Sequence, residues 1–402
     1  MEKKINFIIG VCLLGNLYYL GPLIGLAQEY LIIFFFTISF VFFIKCFSNK
    51  IVKLLNFKLA ISFTLISIFL FLINILINDY EIRVNDIIRI LWYVFFFGWT
   101  YSLYDYEKKS LMVLCSKWSI YLLFIILIIS FFEYYFYNIF WIFLGGEQRY
   151  TENIRLAGTF QDSNTFAGAL VIFLYIYLKN NGFTLWGWMY LFIASFLINL
   201  SGSRMGLILL SILLINFLIN LQLNHFTRKK VIILVISLIC IFVTIIFFNS
   251  IQIKNREETN TISIVDRFFN ESYNYSNENS NIEREQSLRD GLFVGLSANL
   301  ILPPGNLYFV SKWNKEKKVL HVPHNSILYI FVEYGIYSMI PFYILYLVWR
   351  RAKKTNLKSL YILMLIQIFF LPNALYYSSI FFIIFFIDFH FSALAYNKTV
   401  SN

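Results

Sequence analysis

Charge is scarce in this chain. Of 402 residues only 14% are Asp, Glu, Lys or Arg, where soluble globular domains carry about a quarter. Cysteine is also sparse. The four cysteines, Cys12, Cys46, Cys115 and Cys240, each lie in or at the edge of an apolar run. They have neither metal-ligand spacing nor the density of a disulfide framework, so they read as small buried apolar residues. There are only four histidines, and they form no cluster with Cys. A Gly-rich phosphate loop is missing, as is any Ser-His-Asp arrangement that spacing can defend. No internal repeat appears, which argues against a duplicated transporter.

What fills the chain is apolar. Hydrophobic residues make up 59%, aromatics 20%, with 46 Phe and 28 Tyr, and the mean hydropathy is +0.69. A soluble core cannot hide that much apolar surface, so the solvent for most of the chain is lipid. Disordered proteins, secreted disulfide scaffolds and cytosolic enzymes are excluded. Apolar runs of about 17 to 25 residues span a bilayer as helices. Twelve such runs occur, at 5–20, 29–47, 58–78, 85–104, 113–136, 163–179, 184–200, 205–223, 231–249, 324–348, 357–373 and 375–396. The expectation is an all-α polytopic membrane protein of about twelve helices. The first run follows MEKK without a small-residue cleavage site and reads as a retained helix.

Basic residues orient these helices. With the N-terminus in the cytoplasm, the cytoplasmic segments hold 19 of the 33 Lys and Arg, from Lys3 and Lys4 through the Arg350–Lys358 cluster to Lys398. Short outer segments and helix ends hold five: Arg83, Arg89, Arg149, Arg155 and Arg204. The other nine sit in one long outer loop, where the rule does not count. Both termini are therefore expected in the cytoplasm. The net charge of +11 is a topology signal, and nucleic acid is not an expected partner.

Three regions follow. Residues 1–249 carry helices 1–9 with an outer loop at 137–162, residues 250–323 form a long outer loop, and residues 324–402 carry helices 10–12. Within the long loop, Asn270–Asn281 is polar and flexible in composition. Ile282–Gly305 then turns amphipathic, with Ile282, Leu288, Leu292, Leu296 and Leu300 on one helical stripe. It reads as a helix on the membrane surface, stopped by Pro303, Pro304 and Gly305.

Four constellations carry potential chemistry. In R-L-A-G-T-F-Q-D-S-N (Arg155–Asn164), Asp162, Ser163 or Asn164 can cap helix 6, and helix N-termini favour anions. The plain alternative is a capped helix with Arg155 at the lipid headgroups. In S-G-S-R (Ser201–Arg204), small residues let helices approach; Arg204 either snorkels or faces a phosphate. Arg284 and Arg289 lie on the loop helix among Glu283, Glu285 and Asp290. They form either a solvated polar face or a two-pronged phosphate grip. In H-V-P-H-N-S (His321–Ser326), His324 enters helix 10 behind Pro323. An imidazole of unperturbed pKa near 6.5 suits a general base; a structural or exposed His is the alternative. Asp79, Glu81 and Asp86 read as a solvated loop. Glu133, Glu333 and Asp388 are costly in lipid and stand out for that reason.

The order R-x-x-G-T-F-x-x-S-N, S-G-S-R, a long outer loop, then H-N-S-x-L with Gly335 ten residues after Asn325, resembles the O-antigen polymerase and O-antigen ligase superfamily. The resemblance covers Arg155–Ser338 and the twelve-helix topology. It implies a GT-C-like integral-membrane glycosyltransferase of the bacterial inner membrane, with its active site facing the periplasm and neither metal nor cofactor. The implied donor and acceptor are oligosaccharides on undecaprenyl diphosphate. By the resemblance His324 is the base that activates an acceptor hydroxyl, while Arg155 and Arg204 hold the donor diphosphate. Either Arg284 or Arg289 corresponds to the loop arginine, and Asn164 and Asn325 lie in the substrate-binding motifs. The sequence departs at G-I-Y-S (Gly335–Ser338), where many members carry a second Gly. The expected activity is polymerisation of an O-antigen or capsule glycan. The alternatives are the ligase that moves glycan to lipid A–core and, from another class, a lipid-linked oligosaccharide flippase. A chain-length regulator and a flippase are the expected protein partners.

Overall fold

The computed structural model describes residues 108–136, 156–158, 163–220 and 325–371, with further positions inside 65–76, 285–301 and 383–391. Among the described residues every regular element is a helix. The runs 5–20, 29–47, 85–104 and 231–249 lie outside them, as do most of 58–78 and 375–396. By its contacts the chain divides into two compact units. The first is Met1–Gly25 with Lys109–Glu278; the second is Leu26–Lys108 with Asn279–Asn402.

The first unit contains α1 (Lys108–Tyr135), α2 (Ser163–Asn181), α3 (Leu185–Leu200) and α4 (Arg204–Asn220). Residues Met112–Tyr135 of α1 are the one stretch, among the described residues, long and apolar enough to cross a membrane by length and composition. Its 28 residues reach roughly 42 Å. One side of α1 leaves Phe124, Ile128, Phe131 and Phe132 at 39–57% exposure, which water penalises and lipid does not. By contrast α2 is apolar all round and buried all round, from Phe166 to Leu178, as expected for a central helix. The helices of this unit meet in close van der Waals fit. Small residues supply it. Ala167, Ala169, Ala194 and Ser195 are buried. A Cβ on Gly206 of α4 would lie 2.5 Å from Ala167 Cβ and 2.9 Å from Ile198 Cγ2.

The ends of these helices are tied by polar groups. At one end the Asn181 side chain donates to Ser116 Oγ on α1. Thr184 caps α3 by accepting from Gly187 N at 3.3 Å. At the other end lie Glu133, residues 156–158, the start of α2 and the turn from α3 to α4.

The second unit contains α5 (Ser326–Tyr334), a 3-10 turn (Gly335–Ser338), α6 (Met339–Thr355) and α7 (Lys358–Phe370). The run 324–348, expected as one span, is thus divided. The reason is Gly335, at φ 51° and ψ −130°, a conformation that only glycine adopts freely. Hydropathy continues across the break while the backbone does not. The interrupted helix leaves Ile336 N–H without its intrahelical acceptor, and Leu300 O accepts it at 3.0 Å. That contact pins the end of the apolar stripe of the long loop. Helices α6 and α7 pack as a hairpin, with Tyr361 Oη donating to Leu345 O at 3.0 Å. Asn356, left-handed at φ 59°, closes α6, and Lys353 and Lys354 in its last turn suit the negative helix terminus. In the long loop Glu285, Gln286, Leu288, Arg289 and Leu292 are helical, and Leu288 and Leu292 are exposed.

Candidate functional site

In the first unit the S-G-S-R turn is built bond by bond. Ser201 Oγ donates to Ile198 O at 2.7 Å, closing α3. Gly202, at φ 60°, turns the chain and donates its N–H to Asn199 O at 3.0 Å. Ser203 then caps α4: its Oγ accepts from Gly206 N at 3.0 Å, the usual role of a serine ahead of a helix. The same hydroxyl donates to Asn164 Oδ1 of α2 at 2.8 Å. Arg204 is the first residue of α4 and is half-buried.

The sequence reading gave Asn164 a choice between helix cap and substrate contact. The structure assigns its carbonyl oxygen to Ser203, inside the second position of α2. Its partner lies 39 residues away, and a local pattern carries no signal for such a link.

The segment after Arg155 is held from two sides. Leu156 N donates to Leu200 O, the last residue of α3, at 3.4 Å. Ala157 N lies 3.1 Å and 3.3 Å from the two carboxylate oxygens of Glu133. Gly158 N donates to Glu133 Oε2 at 2.7 Å. Glu133 is fully buried, and the cost of burying its carboxyl group is offset by the backbone N–H groups it accepts from. Sequence reasoning flagged its cost without finding its task. The same end holds Asn199, a buried amide whose two side-chain polar atoms have no hydrogen-bond partner in the structure.

In the second unit the H-N-S motif also resolves into tasks. Asn325 Oδ1 accepts from Ile327 N at 2.9 Å and Leu328 N at 3.2 Å, capping α5. Ser326 Oγ donates to Leu371 O just beyond α7, at 2.5 Å and fully buried. Together they fix the backbone directly after position 324. Arg289 is 77% exposed and pairs with Glu285 one helical turn earlier at 2.5 Å. That geometry is the solvated polar face, and such surface pairs contribute little.

Arg204 and Asn164 therefore share one end of the first unit, while Asn325 and Arg289 belong to the second. His324, Arg155 and Arg284 lie outside the described residues, as do Asp79, Glu81, Asp86, Asp388 and the side chain of Glu333. Among the described residues no group of three or more His, Cys, Asp or Glu gathers.

Compared with known proteins, the chain matches no family model, no curated protein and no solved structure.

Proposed function

We propose that the chain is a polytopic glycosyltransferase of about twelve helices in the bacterial inner membrane, with both termini cytoplasmic. It polymerises a surface polysaccharide on the periplasmic face. The donor is the growing glycan on undecaprenyl diphosphate, and the acceptor is the next lipid-linked repeat unit. An acceptor hydroxyl oxygen bonds to the anomeric carbon of the donor. His324 takes the hydroxyl proton. The bond from that carbon to the diphosphate breaks, and undecaprenyl diphosphate leaves with the electron pair. Arg155 and Arg204 neutralise the charge that develops on it, an effect strongest in a cleft that excludes water. Neither a metal nor a cofactor takes part.

The reading rests on the order of four short motifs, since similarity over the whole chain is lacking. One observation supports it above the rest. The bonds Leu156–Leu200 and Ser203–Asn164 bring the R-x-x-G segment and the S-G-S-R turn to one end of one helix bundle. Two motifs that must serve one diphosphate are thereby neighbours, although about 45 residues of chain separate them. Arg289 is engaged by Glu285, so Arg284 is the better choice for the loop arginine.

The test is the glycolipid profile of a strain lacking this gene, with the undecaprenyl-linked pool run beside surface lipid. Single repeats on lipid A–core with the ladder gone are the expected result. Bare core with long glycan accumulating on undecaprenyl diphosphate would make the protein the ligase. Lipid-linked single repeats retained on the cytoplasmic face would overturn the enzyme reading in favour of a flippase.

A further inference from the structure

We propose that Glu133 is a positioning residue for the diphosphate grip, an inference that rests on the glycosyltransferase reading above. Three consecutive backbone N–H groups, at Leu156, Ala157 and Gly158, donate to fixed acceptors on α3 and α1. Arg155 directly precedes them. The acceptor on the α3 side is Leu200, four residues before Arg204. One clamp therefore fixes the backbone that follows Arg155 and the end of α3 that precedes Arg204, and the Glu133 carboxyl group is its α1 half.

The choice of a carboxylate has a chemical reason. Its two oxygens accept from both Ala157 N and Gly158 N. A glutamine of the same shape offers one acceptor oxygen and an NH2 group that opposes the second N–H. Rigid placement of the segment is what the two acceptor oxygens secure. Two-pronged phosphate binding by arginine depends on such placement, and a displacement of about 1 Å can cost up to about a hundredfold in rate.

The experiment uses the full chain in lipid nanodiscs, with undecaprenyl diphosphate as the binding probe and transfer kinetics as the second readout. Glu133→Gln should weaken undecaprenyl diphosphate binding and raise the donor KM by about tenfold, with the acceptor KM unchanged. Glu133→Asp keeps both acceptor oxygens on a shorter stem and should recover part of the loss. A structural role alone would lower the active fraction, and so kcat, at constant donor KM and constant probe affinity; that result overturns the proposal. If Glu133→Gln does not fold, Glu133→Asp decides: donor KM and probe affinity within about twofold of wild type would overturn it. Wild-type protein that binds the probe yet transfers no glycan refutes the enzyme reading, and the ratio of affinities still judges Glu133. Wild-type protein that does not bind the probe refutes both.

Discussion

Ser203→Ala removes one oxygen that serves two elements. The hydroxyl caps α4 through Gly206 N at 3.0 Å and links α4 to α2 through Asn164 Oδ1 at 2.8 Å, in a residue that is fully buried. Losing a serine cap costs about 1 kcal/mol. An interhelical hydrogen bond in a membrane contributes about 0.6 kcal/mol and at most about 1.7, because the unfolded chain in lipid also finds partners. The expected destabilisation is therefore about 1.5–2.5 kcal/mol. Asn164→Leu removes the link and leaves the cap, so it should cost less. In the double-mutant cycle the two changes should couple by about 0.6–1.7 kcal/mol. Reversible unfolding of the full chain in mixed micelles, followed by circular dichroism, measures all four corners. Additivity within about 0.3 kcal/mol would show that the two side chains do not meet. A loss below about 0.5 kcal/mol for Ser203→Ala would refute the capping role as well.

Three further predictions concern the chemistry. His324→Ala should abolish transfer while the protein still inserts and accumulates; normal glycan chain length on a gel would remove His324 from the role of base. Arg204→Lys should lose most activity, because a lysine is a point charge that cannot make two parallel bonds to a phosphate, whereas full activity would return Arg204 to the lipid headgroups. Arg289→Ala should change transfer by less than about twofold, as expected for an exposed pair, while Arg284→Ala should lower donor affinity. The reverse order in a side-by-side donor titration would exchange the two assignments.

Much of the helical layout is legible in the residues. The runs expected at 163–179, 184–200 and 205–223 correspond to α2, α3 and α4 within a few residues, because apolar length is a local property. The S-G-S-R turn is visible for the same reason: small residues between two apolar runs leave little other choice. Gly335 shows where local reading stops. Its surroundings are apolar without interruption, so a single span is expected; the positive φ that ends α5 leaves no mark on hydropathy. Glu133 shows the same limit for charge. Its cost is evident from its place in an apolar run, but its partners are backbone amides 24 and 25 residues away.

The amino-acid sequence by itself determined the helical class, the apolar segments and the short motifs that carry arginine and histidine. Each follows from side-chain chemistry acting over a few residues. Only the tertiary structure decided which polar groups meet: Asn164 with Ser203, Glu133 with the segment after Arg155, Ser326 with the end of α7. Among apolar helices hydropathy does not choose neighbours. Close fit at small residues such as Gly206, and hydrogen bonds between distant parts of the chain, make that choice.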